Sequence, residues 1–267
     1  MGRIVPTQEF FTPVAFDFLW ESAGIGELPY PLRVRSHGRT ELERRELRKR
    51  VDAEFAARGI QDSPVEEWLA LLARPSTSID ALFIPEFQAP PVGALAASDG
   101  RQAVLAIQDA SGIWLRPIYP EGLASAVVDL LPAAPRGSEA SITLPIDEAL
   151  RTQPARSGVV AGTAASGERG GARRRTGLSE RTTDPRQAYA QLIAQPRSRG
   201  GQLAANSRDD LGGKRRSAVL AWFDTGTGRY LSLSRAGTDG REWVTVSPAD
   251  AKTLRTRLGE MVATVSR

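Results

Sequence analysis

The sequence predicts an α+β fold in which one unit occurs twice, the copies pairing with quasi-two-fold symmetry. Three observations predict it. A short pattern, Ser63-Pro64-x-x-x-Trp68-x-x-Leu71-Leu72-Ala73-x-Pro75, returns 121 residues later as Asp184-Pro185-x-x-x-Tyr189-x-x-Leu192-Ile193-Ala194-x-Pro196. Alternating strands, a tight turn and an apolar helix follow each copy. The match extends into the strands, where Ala103-Val104-Leu105-Ala106 with Asp109 aligns with Ala218-Val219-Leu220-Ala221 with Asp224. Stacked copies of one unit bury their apolar faces together and present a broad shared surface rather than a single pocket.

The elements follow in order. Thr12-Pro13 starts a helix, with Pro at its first position; Phe16, Leu19 and Trp20 give its apolar face and Gly24 its end. Tyr30 to Val34 reads as a short strand. Thr40-x-x-Glu43 is a capping box, and Leu47, Val51 and Phe55 form a stripe up to Gly59. Glu41–Arg45 and Glu46–Arg50 are favourable helix pairs. Ser63-Pro64 with Glu66 reads as a second capping box, ahead of Val65, Trp68, Leu69 and Leu72. Strands are expected near 78–84, 92–98, 102–108 and 113–118. Asp99-Gly100 is read as a hairpin turn, and a further turn spans 109–112. A helix over 121–131, a strand over 141–144 and a helical turn over 145–150 close the first half.

From 152 to 182 Gly, Ala, Ser, Thr and Arg dominate, including Arg173-Arg174-Arg175, so a flexible linker is expected. The second repeat then gives a helix ending near Pro196 and a weak strand at 201–206. Strands follow at 218–223 and 229–233, joined by a turn at 225–228, then a strand at 243–246. A final helix, capped by Ser247-Pro248, carries Leu254, Leu258, Met261 and Val262. The expected organisation is 1–151, linker 152–182 and 183–267, the two halves forming one pseudo-symmetric domain.

Composition narrows the function. With 41% hydrophobic residues the chain has material for a core, and no apolar run approaches the ~20 residues of a membrane helix. The first twelve residues hold one positive charge and no apolar stretch, so no signal peptide is expected. Cysteine is absent, which removes disulfides, thiol chemistry and Cys-ligated zinc and fits a reducing cytosol. The +4 charge is concentrated: residues 154–201 hold nine Arg against three acids. A basic balance favours nucleic acid, but this excess lies in a Gly/Ser/Arg segment without aromatics. Nucleic-acid binding through that segment is therefore the alternative reading only.

Chemistry is largely missing. His37 is the one histidine, which leaves no metal pair and no shuttle. Ser36-His37-Gly38 is not a nucleophile elbow, so a structural role is expected, with the ring bonded to a loop carbonyl. Gly212-Gly213-Lys214 continues into Arg-Arg rather than Ser or Thr, so it is no phosphate loop, and Gly167 to Gly171 lies in the linker. No cofactor is expected. Asp109 and Asp224 are read as turn-shaping residues, and Asp209-Asp210 as polar surface. The tryptophans are read mainly as core. Phe87, in the proline-bracketed loop Pro85 to Pro91, is the favoured partner anchor; the other possibility is that it folds back over its own hairpin.

Three segments carry a resemblance: Phe18-Leu19-Trp20-Glu21, then Gly26-Glu27-Leu28-Pro29-Tyr30-Pro31-Leu32, then Ser36-His37-Gly38-Arg39-Thr40. Together with Gly228-Arg229-Tyr230-Leu231 and Trp243-Val244-Thr245-Val246-Ser247-Pro248-Ala249-Asp250, they resemble the EspG family, ESX (type VII) secretion-associated proteins of actinobacteria. The resemblance spans nearly the whole chain outside the linker. It implies a central, mostly antiparallel sheet flanked by helical bundles. It also implies a cytosolic, non-enzymatic chaperone that captures PE–PPE heterodimers by the PPE helical tip until the ESX machinery takes them. No membrane partner is implied. Family contacts come from the sheet, an early hairpin loop and the C-terminal bundle. Here the early loop is about 83–91, offering Phe83, Pro85 and Phe87; the opposing part is about 206–216, with Arg208, Asp209, Asp210 and Arg216 as a polar rim. Such recognition needs an apolar floor within a polar border.

Overall fold

The computed structural model describes residues 8–152 and 184–267. The expected linker therefore lies outside the described residues except at Thr152. The elements of the first half run in order: β1 (Glu9–Phe11), α1 (Pro13–Ala23), α2 (Glu41–Arg58), α3 (Val65–Ala73), β2 (Thr77–Ile84), β3 (Val92–Ser98), β4 (Ala103–Gln108), β5 (Ile113–Ile118) and α4 (Leu123–Val128). Then come β6 (Ile142–Pro145), α5 (Ile146–Thr152), α6 (Pro185–Ala194), β7 (Arg199–Arg208), β8 (Lys214–Arg216), β9 (Leu220–Thr225), β10 (Gly228–Ala236), β11 (Glu242–Pro248) and α7 (Ala251–Val265). The strands form one sheet in the order β1-β5-β4-β3-β2-β7-β9-β10-β11-β6, with β8 pairing the far end of β7. Every named strand pair is antiparallel.

The quasi-two-fold lies between β2 and β7, which pair from Thr77↔Ser207 to Ile84↔Gly200. Outward from that seam each half has the same series, and its detail repeats. Ser76 donates through both its amide and its hydroxyl to the Ser98 carbonyl at the end of β3; Ser198 does the same to the Asp224 carbonyl at the end of β9. Thus β3 corresponds to β9, and β4 to β10. The expected alignment of Ala103–Ala106 with Ala218–Ala221 is one strand out of step. Short Ala-rich apolar runs look alike, and only pairing distinguishes them.

Local chemistry builds most elements as expected. Thr12 Oγ1 accepts from Ala15 N at 3.1 Å, and Gly24 leaves α1 in the left-handed conformation. Thr40 caps α2 at Glu43 N, while Glu43 reaches back to the Arg39 amide at 2.9 Å. Glu41 pairs with Arg45, but Glu46 pairs with Lys49 rather than Arg50. Ser63 caps α3 only weakly: its hydroxyl accepts from Val65 N at 3.4 Å while donating to the Ile60 carbonyl at 2.6 Å, and its amide bonds the Ile60 carbonyl rather than Glu66, so the second capping box is not completed. Tyr30 to Val34 is not a strand. Pro29 and Pro31 lack ladder donors, and Arg33 bonds the Gln108 side chain through both its amide and its carbonyl. The predicted 121–131 helix is a 3₁₀ turn followed by the shorter α4. Ser247-Pro248 belongs to β11; the cap of α7 is Asp250, which accepts from Thr253 N at 2.7 Å.

Three apolar clusters hold the layers. On one face α4 and α7 cover the centre, with Leu123, Val127, Leu131, Leu254 and Leu258 packed over Ile79, Phe83, Leu203 and Trp222. On the opposite face α1, α2 and α3 cover the first half over Leu95, Val104 and Leu115. On that same face α5 and α6 cover the second half over Leu144, Phe223, Tyr230 and Val246. Trp20, Trp68 and Trp222 are buried, as expected, while Trp114 and Trp243 are half-buried.

His37 is structural, but through its backbone rather than a ring hydrogen bond. Its amide donates to Asp17 Oδ2 at 2.7 Å and its carbonyl accepts from Arg44. Nδ1 lies 3.4 Å from Asp17 Oδ2 and has no hydrogen-bond partner. Burial opposes ionisation of Asp17, but hydrogen bonds from Arg44 and the His37 amide outweigh it and hold the carboxyl below its ordinary value. A depressed carboxyl stabilises the fold fully above the unfolded value of 3.8 and loses that contribution as pH falls through the folded value. Melting curves from about pH 6 to about pH 2 should therefore show wild type losing stability faster than Asp17→Asn, the two converging in acid. Parallel curves would remove Asp17 from the acid response.

Candidate functional site

On the second face of the sheet, α3 lies on β3, β4 and β5, while α5 and α6 lie on β11 and β6. Between these layers runs the β2–β7 strip. Period-2 alternation puts Ser78, Asp80 and Leu82 of β2 there, with Gln202, Ala204 and Asn206 of β7. Ser78, Asp80 and Ala204 are buried, Leu82 and Asn206 half-buried, and only Gln202 is exposed, so the strip is reached from its ends.

A cleft opens at each end of the strip. One, of about 450 Å³, is lined by Ile84, Phe87, Gln202, Ala221 and Phe223 among others. The other, of about 460 Å³, lies among Tyr30, Leu72, Asp80, Asn206, Arg208 and Arg216. The antiparallel register explains the separation. Phe83 pairs with Gly201, and Thr77 with Ser207, so the two ends lie about 20 Å apart at ~3.3 Å per residue.

The predicted contact residues divide between these ends. Phe87 is 69% exposed, at the tip of the β2–β3 connection, and does not fold back over its hairpin. Pro85 is half-buried. Phe83 is corrected: it is 3% exposed, with its ring 6.3 Å from that of Trp222 in the core. Strand alternation turns it to the helix-covered face, so it roots the loop rather than presenting surface.

At the other end Arg208 is half-buried, and Asp209 and Asp210 are exposed. Asp209 is occupied by its own turn, accepting from Leu211 N and Gly213 N. Arg216 is no free rim charge. It grips buried Asp80 with both terminal nitrogens, at 2.6 and 3.0 Å, and Asn206 completes the network by donating to Asp80 at 2.7 Å. The Asp80 hydrogen bonds push the Arg216 pKa further up, against the opposing effect of burial. Asp80 was missed in the sequence; a lone acid between Ile79 and the apolar run Ala81 to Ile84 was the available signal.

Asp109 shapes its turn as expected, accepting from Ser111 N and Gly112 N. Asp224 does not: it is buried in an ion pair with Arg229. Among the described residues no group of three or more His, Cys, Asp or Glu side chains is placed to hold a metal ion. None of the described helices is long and apolar enough to cross a membrane.

The model of the EspG family matches residues 12–260. The chain belongs to the EspG family. Among solved structures, this EspG-family chain is similar to the Mycobacterium tuberculosis type VII secretion system chaperone EspG5, solved in complex with the PE25–PPE41 dimer. The TM-score is 0.64 at 16% identity, covering 97% of this chain and 96% of that one. At that identity the likeness establishes a shared fold. No curated protein matches. The EspG fold is thus the large antiparallel sheet with flanking helices described above, and its β2–β7 strip is the candidate site.

Proposed function

We propose that this chain is a cytoplasmic, non-enzymatic chaperone of type VII (ESX) secretion. It binds a PE–PPE-type heterodimer at the helical tip of the PPE subunit, keeps the pair soluble and delivers it for export. Membership of the EspG family over residues 12–260 carries this reading. The fold shared with EspG5, whose structure holds a PE25–PPE41 dimer, supports it.

The geometry fits such a partner. A helix with its side chains is about 10 Å across, so two helices approaching end-on, side by side, match ends ~20 Å apart. Leu82, Ile84, Phe87 and Ala221 offer apolar surface at one end, and the Arg216–Asp80–Asn206 network stiffens the other. The nucleic-acid alternative depends on the Arg-rich segment, most of which lies outside the described residues.

Co-expression with a PE–PPE pair encoded beside this chain tests the proposal. The expected product is one species containing one copy of each chain; failure of the pair to co-purify would overturn it. Phe87→Ala should weaken capture by about 2 kcal/mol, roughly thirty-fold, with an unaltered melting temperature because the ring is exposed. Undiminished capture would remove this loop from the interface.

A further inference from the structure

The most exposed large apolar side chain among the described residues is Leu211, at 98%. It sits at the tip of the β7–β8 hairpin, which follows the central strand of the second half as the Phe87 loop follows that of the first. The tip is tightly built. Asp209 N donates to the Gly213 carbonyl at 3.0 Å and Gly212 N to the Asp209 carbonyl at 2.9 Å, while Asp209 Oδ1 accepts from Gly213 N at 2.7 Å. Leu211 therefore projects from a pre-organised turn, where folding gains nothing from its apolar surface.

Cations surround it. Lys214 and Arg215 are exposed and Arg208 is half-buried, and among the described residues no ion pair engages any of the three. Arg216 is the hairpin cation already committed, to Asp80.

We propose that the 208–216 hairpin is a second docking element: Leu211 enters an apolar socket on the partner protein, and Arg208, Lys214 and Arg215 meet carboxylates around that socket. The proposal rests on the chaperone reading and deepens it, specifying an acidic, socketed surface on the partner more than ~25 Å from the contact of Phe87 at ~3.3 Å per residue. Protein fits better than nucleic acid. A leucine offers no face for base stacking, whereas it fills an apolar socket.

The test uses the full chain and a PE–PPE pair that it captures on co-expression, with association and dissociation rates measured across salt concentrations. Leu211→Ser should weaken binding about ten-fold, chiefly through faster dissociation. The double change Lys214→Glu, Arg215→Glu should slow association and flatten its salt dependence. Melting temperatures should not move, since these side chains are exposed. Combined with Phe87→Ala, Leu211→Ser should give multiplied losses, as expected of well-separated contacts.

If wild type and Phe87→Ala behave as expected but both hairpin variants bind like wild type, the docking element is wrong and the chaperone reading stands. If wild type captures no pair, both fail. A gel shift of duplex DNA at low salt that the charge reversal abolishes would instead make the hairpin a nucleic-acid element and overturn the proposal.

Discussion

Asp224→Ala is expected to destabilise the fold by about 3–5 kcal/mol. Asp224 and Arg229 face each other across the β9–β10 hairpin, with side chains only 5% and 3% exposed. The guanidinium donates to both carboxylate oxygens, at 2.7 and 2.8 Å, and to the Pro132 carbonyl at 2.6 Å, and lies 4.4 Å from the Trp222 ring centre. Removing the carboxylate strands a buried cation with one carbonyl for compensation. The damage extends beyond the hairpin, because the Arg229 backbone also bonds Pro135, Gly137 and Ala249. Replacing both members with apolar residues of similar volume should recover much of the loss, since the pair itself offsets a large desolvation cost. Urea unfolding measures both; a loss under about 1 kcal/mol for the single change would mean that the pair is hydrated.

Gly201→Val should open the seam on which the pseudo-symmetric sheet depends. A Cβ at Gly201 would lie 2.4 Å from Phe83 Cβ and 2.7 Å from the Leu82 carbonyl oxygen. Neither atom moves by a rotamer change, so β2 and β7 must separate. Overpacking of this kind costs about 1–3 kcal/mol, which lowers the melting temperature by several degrees, roughly 2–4 °C per kcal/mol in a chain of this size. A valine variant that melts with wild type would contradict the Phe83↔Gly201 register.

Much of the fold was readable because its signals are local. Thr12 and Thr40 cap helices, Gly24 and Gly59 end them, and alternation marks β2 to β5. Errors arose where two local options compete. Ser63 and Ser247 each precede a proline and look like caps, yet the Ser63 hydroxyl is divided between the Ile60 carbonyl and Val65 N, and Ser247 stays in its strand. The central strand β7 read as weak because Gly200, Gly201, Ala204 and Ala205 have little strand propensity. The small size of Gly200 and Gly201 is what close approach of Trp222 and Phe83 requires. At the candidate site, Phe87 was found because prolines bracket an aromatic without signals for burial. Asp80 and Leu211 were missed because their importance depends on Arg216 and on a hairpin that only pairing creates.

By itself the sequence determined the repeated unit, the helix ends, most strands and the want of cysteine and paired histidine chemistry, since each depends on residues close together in the chain. Tertiary structure alone decided that β2 meets β7, that β9 corresponds to β3 rather than β4 in the symmetry, and that Phe83 is core while Phe87 is surface. Those outcomes turn on register and on which face each side chain takes. A one-residue slip reverses every side chain of a strand, and no short window of sequence records the partner that fixes it.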